Sequence, residues 1–252
     1  MSVTRVLVVT AVAAERDAVV AGLPGGAGAE VVALPAGGRA LHRVRADERS
    51  GVVVDALAAG VGPAAAAAGA ATALTAAGCG GTGYDLVISA GIGGGFAPGA
   101  PVGATVVADE IVAADLGAET PDGFVPVTEL GFGTVVHTPP PVLVGALAEA
   151  TGAACGAVLT ASTVTGSAEH AARLAARYPR ALVEAMEGFG VAEAAAAQGL
   201  PVLEIRTVSN PVGPRDRAAW RIGDALGALS AACAALPRVL TAAGTPTSWR
   251  TP

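Results

Sequence analysis

Two carboxylates, one amide and a run of glycines are the groups in this sequence best placed to do chemistry. Glu187 follows Met186, the only internal methionine, and opens an Ala-rich segment (AMEGFGVAEAAAAQG) where a carboxylate is hard to dismiss as surface. Ser209-Asn210-Pro211 ends the apolar run Val202–Val208, so a hydroxyl and an amide stand where the chain leaves a buried strand. An acid, and then a polar pair at the C-terminal end of a strand, is how an open α/β sheet presents a site for a small polar ligand. The Asn210 amide can both donate and accept, although an Asn before Pro is also a common turn. Ser89–Phe96 (SAGIGGGF) follows a strand and reads as a turn whose glycine amides donate to a small ligand. It is not a dinucleotide fingerprint: the third glycine of GxGxxG is missing, and a strand follows it instead of a helix. A purely structural turn is the plain alternative. Glu15, one helical turn past the first strand, reads by itself as the solvated face of helix one. Trp220, one of two tryptophans, is core in the ordinary reading and a stacking lid in the other.

The elements that must position these groups alternate along the chain. Arg5–Thr10 (RVLVVT) is a short apolar run of the kind covered on both faces, followed by helical Ala11–Leu23 that stops at Pro24-Gly25. Val31–Ala46 alternates weakly and suits an edge hairpin. Val52–Ala58 is a strand, and Gly60-Val61-Gly62-Pro63 opens an Ala-rich helix to about Ala77, with proline favourable just inside the helix start. Strands are expected at Tyr84–Ala90, Val102–Ile111, Cys155–Ala161 and Val202–Val208, and helices at Pro141–Thr151, Ser167–Arg177 and Asp216–Leu240. Ala113–Thr138 is a polar, Gly-rich excursion that reads as a lid or a dimer contact. Such alternation predicts a mostly parallel or mixed sheet sandwiched by helices, a three-layer α/β/α fold. One domain is expected over residues 1–240, with 241–252 a frayed tail.

Composition excludes several functions. A net charge of −6 and a pI near 5.0 argue against nucleic acid or an anionic membrane surface as partner. Cys79, Cys155 and Cys233 are odd in number and widely spaced, no CxxC occurs, and the histidines are scattered at 42, 137 and 170, so neither a metal site nor a disulfide framework is expected. The N-terminus lacks a basic n-region, and Gly, Pro or charge breaks each candidate membrane span. A soluble, cytoplasmic protein without cofactor is the expectation.

In their order along the chain, TAVAAERDAV, SAGIGGGFAPGAPVGATVVADEI and AMEGFGVAEAAAAQGLPVLEIRTVSN resemble the nucleoside phosphorylase-like superfamily over roughly residues 4–240. Within it the resemblance is to the hydrolase branch, the methylthioadenosine/adenosylhomocysteine nucleosidases and futalosine hydrolases. That resemblance implies a mixed, partly barrel-like central sheet and commonly a homodimer or higher homo-oligomer whose partner completes the site. It implies Glu15 as the acid that activates water, Met186 and Glu187 at the ribose, and Val164 where main chain brackets the purine edge. It also implies Ser209-Asn210 facing purine N7, Trp220 covering the substrate, and Gly91 in the stretch that holds water and ribose. N-glycosidic cleavage needs a donor for the leaving base, an anion at the ribose hydroxyls and a base for water, and Asn210, Glu187 and Glu15 would supply these. Adenine-specific members carry Asp where this chain has Asn210, and an amide suits the O6 and N7 acceptors of a 6-oxopurine better. The implied reaction is therefore hydrolysis of futalosine to hypoxanthine and dehypoxanthine futalosine, in a menaquinone route. The substrate's tail carboxylate would want a cation, with Arg215, Arg217 and His137 unranked candidates. Alternatives are a 6-oxopurine nucleoside phosphorylase, a methylthioadenosine nucleosidase, or a non-catalytic nucleoside binder. No Arg or Lys lies between Gly51 and Arg173, which weighs against phosphate binding within one chain.

Overall fold

The computed structural model describes residues 3–35, 38–46, 51–244 and 246–249. The first strand, β1 (Thr4–Thr10), shows why its apolar run is continuous: Val6 and Val8 enter one core cluster, while Leu7 and Val9 enter another across the sheet. It leads into α1 (Ala13–Gly22), the edge hairpin β2 (Glu30–Ala33) and β3 (Ala40–Arg45), then β4 (Val52–Ala58) and α2 (Pro63–Cys79). Next come β5 (Leu86–Gly95), β6 (Thr105–Ala113), a small β7 (Gly117–Thr120) and β8 (Gly123–Pro126) ribbon, and β9 (Val136–His137). The chain continues through α3 (Pro141–Thr151), β10 (Ala154–Thr160), α4 (Ala168–Arg177), β11 (Ala181–Ala185), α5 (Gly188–Ala196), β12 (Val202–Pro211), α6 (Ile222–Ala234) and α7 (Leu236–Ala242).

The central sheet runs β11-β10-β6-β12-β5-β1-β4-β3-β2, with β9 added on β6. It is mixed: β1 lies parallel to β4 and β5, whereas β12 runs antiparallel to β6. β11 also pairs antiparallel with the far end of β5, Val183 against Gly95 and Glu184 against Gly94, so five strands close on themselves. This closure is the expected barrel-like part of the sheet. Helices α2 and α5 cover one face, and α1, α3, α6 and α7 the other, giving the three layers expected from the alternation.

Four local expectations change. The glycines of Ser89–Phe96 form the end of β5 and not a turn, because the barrel closes there: a Cβ on Gly93 would lie 2.6 Å from Val183 Cγ1 and 2.8 Å from the Glu184 carbonyl oxygen. β11 is an additional strand whose five residues are too few to show a period in the sequence. The closing helix over Asp216–Leu240 is instead a 3₁₀ turn (Arg217–Ala219) followed by α6 and α7, which break at Ala235 just before Pro237. Beyond it the described tail residues are not frayed: Trp249 is buried, and its indole N–H donates to the Ala243 carbonyl at 3.0 Å. Ile222–Ala242 is long and apolar enough to cross a bilayer by composition, but Leu229, Cys233, Leu236 and Leu240 point into the core.

Candidate active site

The C-terminal ends of the parallel strands open on one cavity of about 350 Å³. β1, β4, β10 and β11 contribute residues of the loop or helix that follows them, and β5 and β12 contribute their own C-terminal residues, as the topology of a doubly covered sheet leads one to expect. Glu15, Val164, Met186, Glu187, Ser209, Asn210 and Trp220 all line this cavity, from five different segments of the chain. Gly91 does not. It lies just behind the wall, where a Cβ would stand 2.6 Å from Glu15 Oε1 and 2.7 Å from Arg206 Nη1. Its part is to let Glu15 and Arg206 approach the strand.

Glu15 is buried, contrary to its reading as a solvated helix face. It is the third residue of α1 and turns back onto the helix start, where Oε2 accepts the amides of Ala11 (3.0 Å) and Val12 (3.2 Å). Oε1 accepts the amide of Ile92 at 2.9 Å, tying α1 to β5. A carboxylate offers about four lone-pair directions, so three are used and one is left for a ligand. Glu187 is held in the same way from other elements. Its Oε1 accepts from Gly62 N at 3.0 Å, and its Oε2 from Met186 N and Arg206 Nη1, each at 3.3 Å.

Arg206 stands at the centre of this wall, and sequence reading passed over it. Its guanidinium is 1% exposed and donates to Glu204 Oε1 (2.8 Å), Ser89 Oγ (3.0 Å) and Glu187, and Glu15 adds to the field around it. Burial opposes its charge, but Glu204, Glu187 and Glu15 together raise its pKa. Burial pushes the Glu204 carboxyl up from the ordinary range, against the pull of Arg206. Glu204 and Arg206 interrupt an otherwise apolar strand (VLEIRTV), and two charges at that spacing on one strand face were the available signal. A second missed pair is Glu184 and Thr165. Glu184 Oε2 accepts from Thr165 N at 2.8 Å and Oε1 from Thr165 Oγ1 at 2.5 Å, which pins the loop carrying Val164.

Ser209 and Asn210 owe their joint orientation to a β-bulge. Val208 pairs with Gly93 but Asn210 with Gly94, so Ser209 is the extra residue. Adjacent side chains in a regular strand point to opposite faces, and a bulge re-aims them. Here both face the cavity, and Ser209 Oγ donates to Asn210 Oδ1 at 2.8 Å. The amide nitrogen donates to the Pro211 carbonyl at 3.0 Å. A carbonyl can only accept, so the Asn210 NH₂ is fixed in direction, with one N–H spent and the other left to give. Asn210 thus sits inside the paired end of β12 and not in a turn.

Trp220 is half-buried at the cavity mouth and is not core; Arg215 and Arg217 stack on it, with guanidinium carbons 5.6 and 5.7 Å from the ring centre. Of the three cations considered for a carboxylate, only Arg215 lines the cavity. Arg217 stays outside it, and His137 Nε2 is 2.7 Å from Glu193 Oε1 with its ring against Phe189. The lining side chains therefore carry three carboxylates (Glu15, Glu184, Glu187) inside and one guanidinium at the mouth. Among the described residues no group of three or more His, Cys, Asp and Glu is placed to hold a metal ion.

Comparison with known proteins shows the family. Residues 5–243 match the profile of the phosphorylase superfamily. A futalosine hydrolase of Streptomyces coelicolor is 65% identical, covering 93% of this chain and 95% of the relative. A futalosine hydrolase of Acidothermus cellulolyticus is 48% identical, covering 94% of this chain and 91% of its own. Among solved structures, a 5'-methylthioadenosine/S-adenosylhomocysteine nucleosidase of Colwellia psychrerythraea in complex with adenine superposes with a TM-score of 0.79 at 22% identity, over 95% and 96% of the two chains. A futalosine hydrolase mutant of Helicobacter pylori gives 0.74 at 16% identity, over 91% of this chain and 96% of that one. At those identities the structures speak for the fold alone.

Proposed function

The chain belongs to the phosphorylase superfamily, among its futalosine hydrolases, and from that premise we propose how it hydrolyses the N-glycosidic bond of futalosine to release hypoxanthine. The observation that carries the assignment of roles is the fixed direction of the Asn210 amide, across one cavity from two buried carboxylates.

Bond cleavage leaves positive charge on the ribose ring and negative charge on the departing purine. Glu187 accepts hydrogen bonds from the ribose hydroxyls and, with Glu15 and Glu184 nearby, favours the oxocarbenium-like sugar. Asn210 gives its free N–H to the N7 and O6 edge of the base as that edge gains charge, and Ser209 holds the amide from turning over. The Val164 main chain, pinned through Thr165 to Glu184, borders the base. Met186 packs against the ribose, and Trp220 covers the mouth. Glu15 holds the attacking water with its remaining lone pair and takes a proton from it as the C1′–O bond forms. Arg206 keeps Glu187 in place, and Gly91 leaves the space for Glu15 and Arg206.

A phosphorylase reading meets a charge objection. Three carboxylates face the cavity, and its single guanidinium is at the mouth, so phosphate would meet repulsion where it must attack. The partner in solution is a second copy of the chain: Phe132 is 65% exposed and Leu116 and Leu130 are also exposed on the excursion after β6, whereas Phe124 is covered by Arg177. The protein works in the cytoplasm, without a cofactor, in a menaquinone route. The test is release of free base from futalosine, inosine and methylthioadenosine by the purified protein. Hypoxanthine from futalosine at a kcat/KM at least tenfold above the other two is expected. Adenine from methylthioadenosine as the fastest reaction would overturn the assignment of Asn210.

A further inference from the structure

The loop after the Asn210 bulge is a closed flap that carries Arg215 and Arg217, of which Arg215 lines the cavity. Its start is tied to the sheet by Val212 N donating to the Gly95 carbonyl at 2.8 Å, and its end by Arg221 N donating to the Ser209 carbonyl at 2.8 Å. Between these ties Gly213 takes φ +136°, Pro214 stiffens the chain, and Asp216 caps the 3₁₀ turn through Ala218 N at 3.1 Å. The flap brings Arg215 onto the Trp220 ring, and both line the cavity mouth. Arg215 makes no ion pair among the described residues, although three carboxylates line the same cavity.

From this geometry we infer that Arg215 and Trp220 form the subsite for the substrate's 5′ substituent, an aromatic group bearing a carboxylate. The inference rests on the futalosine reading, since futalosine carries a carboxyphenyl ketone at that end. Arg215 offers its planar fork to the carboxylate, and Trp220 offers an apolar face to the ring. The deep part of the cavity repels anions, so the carboxylate is directed outward and the base inward. The pair thereby sets which way round the nucleoside enters. A guanidinium held on an indole face loses little freedom on binding, which suits it to discriminate.

The experiment compares futalosine with its carboxyl methyl ester, for the wild type, R215M, R215K and R217M. The wild type is expected to prefer futalosine over the ester about tenfold or more, with the preference falling as salt is raised. R215M loses about tenfold or more on futalosine and less than about threefold on the ester, and R215K recovers part of the loss. R217M lowers both substrates by the same factor. Equal efficiency of wild type on acid and ester, or an equal loss by R215M on both, overturns the Arg215 assignment and leaves the hydrolase reading standing. Failure of the wild type to release hypoxanthine from futalosine overturns that reading and this inference with it.

Discussion

Replacing Asn210 with Asp changes one NH₂ for an oxygen and tests the base-recognition argument at a single atom. In the wild type that NH₂ is 3.0 Å from the Pro211 carbonyl, and Oδ1 is 2.8 Å from the Ser209 hydroxyl. An ionised Asp there sets one acceptor oxygen against both the Pro211 carbonyl and the N7 and O6 acceptors of a 6-oxopurine. The lost contact to Pro211 costs about 1 kcal/mol in stability. The lost donor to the leaving base costs more, because it acts where charge develops; one such donor is worth ~2.7–4 kcal/mol, or about 10²–10³ in kcat. N210D should therefore lose about 10²–10³ in kcat/KM on futalosine at pH 8. The loss should shrink as pH falls toward 5, because a protonated Asp regains a donor. On the 6-amino analogue of futalosine the loss should be smaller, since that base offers an amino hydrogen to the new acceptor. The assay is chromatographic release of hypoxanthine or adenine across pH, with thermal unfolding to confirm the fold. N210D within threefold of wild type on futalosine at pH 8 would refute the reasoning.

Other perturbations follow from the same geometry. E15Q removes the proton acceptor and sets an amide NH₂ either against the N–H groups of Ala11 and Val12 or against that of Ile92, so kcat should fall about 10²–10⁴-fold while hypoxanthine still binds, as read by calorimetry. Y84F removes the 2.6 Å hydrogen bond to buried Asp55 and should cost about 1.5–3 kcal/mol in denaturant unfolding at pH 7. Burial first, and then Asp55, raise the Tyr84 pKa, so the folded state favours the protonated phenol. That contribution is full below about pH 10, the unfolded value, and is lost as pH rises through the folded one, so Y84F should flatten the alkaline loss of stability. Cys79 and Cys155 are exposed, whereas burial pushes Cys233 up to about 12, so a thiol reagent at pH 8 should label two cysteines in the native state and the third only on unfolding.

The sequence shows the fold plainly wherever burial enforces a pattern over enough residues. The runs Arg5–Thr10 and Val52–Ala58 are legible because both faces of each strand are covered, and α3 because Pro141 and Gly152 punctuate it. β11 has five residues, too few for a period, and the barrel closure it makes with β5 is a long-range pairing that no local pattern encodes. Without that closure the glycines of β5 look like a turn. The site divides in the same way. Glu187 and Asn210 stand out because each interrupts an apolar context, and Glu15 became legible only through its likeness to a family, since its burial depends on Ile92, 77 residues away. Arg206 and Glu204 are visible as charges inside an apolar strand, but the apolar residues around them dominate the pattern of Val202–Val208. Trp220 lines the mouth, where the family resemblance put it, and Trp249, in the stretch expected to fray, fills the core; rings of one type carry no mark of which will meet solvent.

The central claim is that water, held by Glu15, and not phosphate, attacks the nucleoside. The most direct measurement is the mass of the sugar product made from futalosine in H₂¹⁸O, with and without inorganic phosphate. The account predicts a free sugar carrying one solvent oxygen, formed at the same rate in both buffers alongside unlabelled hypoxanthine. A sugar 1-phosphate, with no turnover when phosphate is left out, would contradict it.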